Sequence, residues 1–436
     1  MSLRVWGEFG VKCVRQGMRE ILVKKRDWKC EKMRDQKFWT LRYILINVTY
    51  FVVFSGIHAY AAVFLLEKGF SNTQIGVALS LANVLSVICQ PWIAGIIDQG
   101  KTLTNRNVSL ASTGILFVGS LLLLWIPQGK AVIFLIFVLI YMIQMVYQPI
   151  LIAMNFEYRE AGCPIYFGLA RGLGSVGFAI ASFLMGRGMG VHGVSLLMKV
   201  DLVSLALAFV ILFFFKKPET QENPRGEAGE RTRPETREEG KTNVFAFIRA
   251  YPYFMLFVAG AVCLFFTHNA INDYMIQIIQ PLGGGEKEMG YAVCLAALLE
   301  LPTMALVDRI IRKISCRWLL LVSGVFFLIK TLLMLMATNM IMVYLSQAMQ
   351  MFAYAIFIPV SAYYVHEEMK EADQVKGQAY VNCSLTLGGV FSGLFCGYLL
   401  DAGGPHKMLI EGLVVTVAGL VIAGFALIKP RKKAQS

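Results

Sequence analysis

Hydrophobic and polar positions alternate along this chain on a long wavelength. Apolar runs cover roughly 40–66, 74–97, 107–127, 131–156, 165–186, 193–215, 251–280, 287–307, 317–337, 340–365, 376–400 and 407–428, with short polar stretches between them. At about 1.5 Å per residue of helix, each run is long enough to cross a hydrocarbon core of about 30 Å, some with tilt. In lipid every backbone group must be paired within its own segment, so the pattern predicts twelve transmembrane helices. One polar stretch differs in kind. Between Lys216 and Arg249 lie Pro218, Pro224 and Pro234, dense charge of both signs, and almost no large apolar side chain before Val244. Such a segment buries too little surface to offset its ordering entropy and reads as a solvated loop. The chain then divides into a basic extension (1–37), an N-terminal six-helix bundle (38–216), a central loop (217–248), a C-terminal six-helix bundle (249–430) and a basic tail (431–436).

The two bundles repeat one another. Gly69 and Gly76 after the first run match Gly283 and Gly290 after the seventh, and Pro218 and Pro430 close the sixth and twelfth. The fifth run opens FGLARG from Phe167, and the eleventh opens KGQAYV from Lys376. The implied fold class is an all-α membrane protein of two pseudo-symmetric bundles with parallel topology.

Composition agrees: 57% of residues are hydrophobic and only 16% charged, against about a quarter in soluble domains. The net charge of +13 raises nucleic acid as a partner, but its placement excludes that reading. With both termini on one side, 33 of the 41 Lys and Arg fall on that side and five on the other, leaving Arg171, Lys199 and Lys330 within the apolar runs. By the positive-inside rule the expectation is a multi-pass protein of a bacterial plasma (inner) membrane with both termini cytoplasmic. Residues 1–37 suit either a basic helix on the anionic inner leaflet or an extension without a role. They lack the apolar core of a cleavable signal peptide. The nine cysteines show no metal spacing, and those within apolar runs read as small core packers. No phosphate-binding loop, HExxH, nucleophile elbow or dinucleotide fingerprint occurs. Neither an enzyme nor a cofactor is expected, and the energy source should be an ion or solute gradient.

A charge at mid-membrane costs about 2.5–3.5 kcal/mol on insertion scales and normally faces a cavity or a partner. Arg171, Lys199, Asp201, Asp273, Glu300 and Lys330 occupy such positions. Asn269, Asp273, Gln277 and Gln280 form a polar stripe in the seventh run, with His268 and Asn272 alongside; it should line water or pack on a polar neighbour. Glu300, a carboxyl near the middle of the eighth run, is the candidate reversible proton carrier, with Asp273 second; the alternative is a permanent pair between Glu300 and Lys330. Arg171 must keep an anionic or accepting partner. It shares a face with Ser175, Phe178 and Ser182, a fork-shaped donor beside an aromatic ring that suits a sugar or an aromatic carboxylate. The alternative is a structural tie to Asn155, Glu157 or a helix end. Further stripes are His58 with Phe54, Gln350 with Tyr354, and Asn382 with Gln378. Lys199 and Asp201, two apart and near a helix end, are expected to snorkel.

FGLARGLGSVGFA (Phe167–Ala179) and QPWIAGIID (Gln90–Asp98) resemble the lactose permease group of the major facilitator superfamily. His268, the pair Gly290–Tyr291 and Glu300 resemble the 3-phenylpropionic acid transporter group of the same superfamily. The resemblance covers about 37–430 without the central loop. It implies that Arg171 matches the essential arginine of helix 5, that Phe178 stands at the sugar-stacking tryptophan, and that Lys330 matches the arginine of helix 9. Asn155 replaces the helix-4 glutamate. Asn269 and Asn272 replace the helix-7 aspartates, with Asp273 displaced by one. Gln350 and Ala353 replace the helix-10 histidine and glutamate, so a proton site would have to be Glu300 or Asp273. Asp98 survives from the superfamily's loop motif, as a gate residue, while Ala94 and Gln99 depart from it.

The expectation is a monomeric secondary transporter performing proton-coupled symport of a small organic solute (sugar, nucleoside or aromatic carboxylate) by alternating access. Arg171, Phe178, His58, Asn269, Asn272, Gln350, Tyr354 and Asn382 would contact solute, and Glu300, Asp273, His268 and Lys330 would serve proton coupling. Its partners are the solute, H+ and the bilayer, not nucleic acid. The alternatives are a proton-coupled multidrug exporter of the same fold and, from another class, a non-transporting membrane sensor or assembly factor.

Overall fold

The computed structural model describes residues 36–99, 103–125, 129–163, 165–217 and 244–428. The N-terminal extension, most of the central loop and the basic tail lie outside them. Among the described residues, eleven helices are long and apolar enough to cross a membrane. These are α1 (Gln36–Ala59), α2 (Asn72–Gln99), α3 (Asn105–Trp125), α4 (Lys130–Glu160), α5 (Phe167–His192), α6 (Ser195–Phe214), α7 (Pro252–Asp273), α8 (Glu286–Ile311), α9 (Cys316–Leu335) and α10 (Met340–Glu368), followed by Glu371–Ile428. The last spans 58 residues, twice what one crossing needs, and breaks at Gly404, whose φ of 74° is non-helical. Gly404 therefore separates α11 (371–403) from α12 (405–428), and twelve crossings result.

The repeat is visible in the backbone. The turns after α1 and α7 each carry a left-handed glycine, Gly69 (φ 77°) and Gly283 (φ 78°). Those after α5 and α11 do the same at Gly193 (φ 69°) and Gly404. A side chain at positive φ is strained, so glycine marks where each pair of helices must reverse. The helical pattern fails at Tyr60 (φ −105°, ψ 16°) beyond α1 and again at Tyr274 (φ −111°, ψ 26°) beyond α7. Short helices, Ala61–Glu67 and Met275–Ile279, carry each crossing on. Before Tyr60, residues Ser55–Ala59 widen into a π-turn, a feature frequent at functional sites.

Bulky apolar side chains such as Trp92, Trp125, Val203 and Val421 point outward and stay exposed, as lipid-facing positions should. α1 and α7 are the most enclosed crossings. Between the bundles, α2 packs on α11, α5 on α8, and the π-turn of α1 on α7, whereas among the described residues α4 and α5 make no comparable packing on α10 or α11. The bundles thus close on each other at the end of the Gly69, Gly283 and Gly404 turns. They part at the other end, which carries most of the basic residues. There Phe156, Tyr166, Leu169, Tyr363 and Val375 are exposed.

Each bundle is tied internally at that basic end. In the first, Lys217 pairs with Glu157 at 2.8 Å, and Arg106 donates to the Leu212 carbonyl at 2.8 Å. In the second, Arg317 pairs with Glu368 at 2.7 Å, and the Tyr251 hydroxyl donates to Asp373 at 2.9 Å. Burial, and then the bond to the Asp373 carboxylate, hold the Tyr251 hydroxyl above its ordinary range. These bonds stay within one bundle.

Candidate functional site

The cleft between the bundles is lined from both sides by groups that are costly to bury. From α5, the Arg171 guanidinium lies 4.3 Å from the centre of the Phe51 ring and donates to Ser175 Oγ at 3.0 Å. A guanidinium over an aromatic face gains by cation–π attraction while its remaining donors stay free. The alternative to solute contact, a structural tie to Asn155 or Glu157, does not form. Glu157 is engaged by Lys217 and by Asn105 at 2.9 Å, and Asn155 is wholly buried with both amide atoms unpartnered. Its charge acts electrostatically across the cleft on Tyr354 and Glu300 of the second bundle, and on Tyr50 and Tyr43 of its own.

The second bundle answers with a linked chain. Lys330, almost wholly buried on α9, donates to Gln350 Oε1 at 2.5 Å, and the other end of that amide donates to Glu300 Oε1. The sequence alternative of a direct Glu300–Lys330 pair is replaced by a bridge through Gln350. An amide suits this place because one end accepts and the other donates. The backbone around it is irregular: α10 tightens into a 3-10 turn at Met349–Met351 and is non-helical at Ala353 (φ −82°, ψ −86°), next to Tyr354. Glu300 stands two residues before Pro302 in α8.

Two histidine–tyrosine pairs flank the cleft, one in each bundle. In the first bundle His58 sits between Phe54 (ring centres 4.2 Å apart) and Tyr141 (3.8 Å). In the second His268 stacks on Tyr354 (5.2 Å, 6° between planes) and accepts from the Asn272 amide at 3.1 Å. Both histidines are buried and each keeps one ring nitrogen without a partner. Phe178 extends the first aromatic wall, 6.1 Å from Phe54. Nearer the closed end, Asp273 interacts with Tyr141 across the bundles, and Asn83 bonds to the same tyrosine. Asn269 donates to the Leu385 carbonyl of α11 at 3.2 Å, so it ties α7 to α11. Asn382 is exposed on α11, within 3.5 Å of Gln378. Asp98 belongs to the last turn of α2, but its side chain lies outside what is described.

Geometry therefore gathers Arg171, Glu300, Lys330, Gln350, Tyr354 and His268 around one cleft, with Phe178 and His58 on the facing wall. It splits the polar stripe of the seventh run: Gln277 turns to Asn72 of α2, and Gln280 is exposed. Lys199 is exposed, as a snorkelling lysine should be, but Asp201 is not. Asp201 is 0% exposed, its two oxygens lack partners, and it sits against Gly56 in the π-turn of α1. Two residues apart on a helix means opposite faces, and only the lysine's face meets the surface.

Comparison with known proteins places this arrangement. The MFS_1 like family matches residues 41–410. A maltose permease of Geobacillus stearothermophilus is 25% identical over 377 residues, covering 85% of this chain and 90% of the permease. Among solved structures, the nucleoside transporter NupG aligns with a TM-score of 0.69 at 14% identity, covering 90% of this chain and 100% of that one, and a point mutant of the same transporter aligns with a TM-score of 0.72. A bacterial homologue of the human lysosomal transporter Spinster, in an inward-facing and unoccupied conformation, aligns with a TM-score of 0.66 at 14% identity, covering 90% and 96%. At these identities the structures speak for the fold alone.

Proposed function

The chain belongs to the MFS_1 like family and is a membrane transporter of the major facilitator type, not an enzyme; from that premise we propose that it takes up a small polar organic solute together with protons, by alternating access. The observation that carries this reading is the linked set Arg171, Glu300, Gln350 and Lys330, which joins a fixed cation to a carboxyl that can change charge, across a single cleft. Arg171 and the amides of Gln350, Asn269 and Asn272 offer donors to hydroxyl or carboxylate oxygens. Phe178 and Tyr354 offer flat faces to a sugar or nucleobase ring, His58 backs the first wall from between Phe54 and Tyr141, and Asn382 stands nearer the mouth. A sugar or a nucleoside fits both kinds of group, and an aromatic carboxylate fits Arg171 with the same walls.

Proton coupling follows from charge balance. An ionised Glu300 is held by Gln350 and by the fields of Lys330 and Arg171. A protonated Glu300 releases Lys330 and Arg171 to other acceptors, including solute. Binding of solute and of a proton would then favour one another, which is the linkage a symporter needs. Asp273, His268 and Lys330 complete the set of groups able to share that proton. The basic end is assigned to the cytoplasm of a bacterial inner membrane by the positive-inside rule, and on that assignment the cleft opens inward. Residues 38–216 and 249–430 are proposed as the two rocking bodies, in a carrier that works as a monomer.

The test is a thermal-shift screen of the purified protein against sugars, nucleosides and aromatic acids, followed by external pH recording in proteoliposomes. Stabilisation by one class, with alkalinisation outside when that class is added, supports the proposal. Proton entry only on adding lipophilic cations would replace it with an exporter.

A further inference from the structure

The closed end is sealed along two seams, and they are not equivalent. In one, α5 meets α8 through Gly186 and Gly290; in the other, α2 meets α11 through Gly76 and Gly393. A methyl group at any of these glycines would overlap the facing backbone, so the crossings touch main chain to main chain. A tyrosine from each kink fills in beside them: Tyr60 donates to the Ser182 carbonyl at 2.6 Å and Tyr274 to the Gly393 carbonyl at 3.0 Å. Up to this point the seams follow the repeat.

They differ in how the second helix of each bundle is capped. A helix begins with N–H groups that have no partner within it, and its N-terminus favours negative charge. α8 is capped from within, Glu288 accepting from the Gly285 N–H at 3.0 Å. α2 has a matching local cap, since Gln74 N–H donates to Ser71 Oγ at 3.2 Å and Ser71 N–H to the Gln74 side chain at 3.1 Å. Its first two N–H groups go elsewhere. Asn72 N–H and Nδ2 donate to Asp401 Oδ1 at 3.1 and 2.9 Å, and Thr73 N–H and Oγ1 donate to Asp401 Oδ2 at 2.8 and 2.6 Å. Asp401 is on α11, in the other bundle. Gln277, in the short helix beyond α7, adds a bond to Asn72 Oδ1 at 3.0 Å, and Ser80 adds one to the Val390 carbonyl at 2.7 Å. Counting back by the spacing of Gly193 and Gly404, the position equivalent to Asp401 is Gly190, which has no side chain to offer. The α5–α8 seam closes without such a carboxylate, so the fold does not require one.

We propose that Asp401 is a gate residue, a carboxylate latch that caps α2 from the opposite bundle and sets how readily this end of the carrier opens. Opening must part α2 from α11, and parting them strips Asp401 of four charge-assisted bonds at once. It also leaves two helix N–H groups to water. The glycine seams supply fit, which is cheap to part and re-form; the latch supplies the bias toward the closed state. The inference rests on the carrier reading but on neither the solute nor the proton assignment.

The test needs no substrate. Spin labels at Glu67→Cys and His406→Cys, exposed on the closed end of each bundle, report their separation in the full-length protein by pulsed electron resonance. With Asp401 intact, the short-distance population dominates. Asp401→Asn should enlarge a longer-distance population roughly tenfold, equivalent to about 1.4 kcal/mol. Thr73→Val, which removes one donor and leaves the backbone cap, should move it the same way by less. The two changes combined should fall short of their sum, because they break one latch. Unchanged distance distributions in both variants would overturn the proposal, as would full additivity. If Asp401→Asn does not fold, Thr73→Val alone decides, a shift supporting the latch and no shift rejecting it.

Discussion

Arg171 shows why identity matters more than charge in this cleft. Its guanidinium lies flat on Phe51 while bonding Ser175, a geometry that a lysine ammonium does not reproduce. Arg171→Lys should therefore weaken solute binding by about tenfold or more with the fold intact, measured by titration of the ligand found in the screen. Gln350 is the other residue whose role depends on its atoms, since it satisfies Lys330 and Glu300 together. Gln350→Ala strands both and should destabilise the protein by about 1–3 kcal/mol, read as a lower melting temperature. The sequence pointed to the depth of Glu300, Lys330 and Gln350 but not to the bridge, because residue spacing along three helices says nothing of their mutual rotation. It misplaced Asp201 for a related reason. Distance from a helix end suggests snorkelling, whereas the face that Asp201 occupies turns it onto Gly56.

At the level of elements, crossings and their pairing were legible because twelve apolar runs and the paired glycines leave few alternatives. The interruptions were not. Neither Tyr60 nor Tyr274 is a helix breaker, and the π-turn at Ser55–Ala59 carries no proline. These irregularities answer to tertiary contacts, the tyrosine hydroxyls being drawn to carbonyls of α5 and α11. The glycine seams lead to a direct expectation. Gly76→Ala places a methyl against the Gly393 carbonyl and should shift the carrier away from the state closed at that end. The same spin-label pair reads the shift, and Gly95→Ala, where the added methyl meets nothing, serves as the control that should leave it unchanged. Gly56→Ala should act differently, lowering thermal stability by about 1–3 kcal/mol, since its methyl would press on the buried Asp201 carboxyl.

For the whole molecule, the account joins three features: two bundles each tied within themselves, a cleft whose charged groups interact from both sides, and a latch across one seam. In the proposed cycle, rocking of the bundles would break the latch and carry the cleft from one face to the other. The central claim is that Glu300 holds the proton whose movement drives solute uphill. It is tested most directly by transport in proteoliposomes with Glu300→Gln, comparing uptake driven by a proton gradient with exchange between equal solute concentrations. The account predicts that the variant loses gradient-driven accumulation and keeps exchange, because the cleft is preserved while the titrating group is gone. Accumulation at the rate of the unaltered protein would contradict it and return the proton to another group.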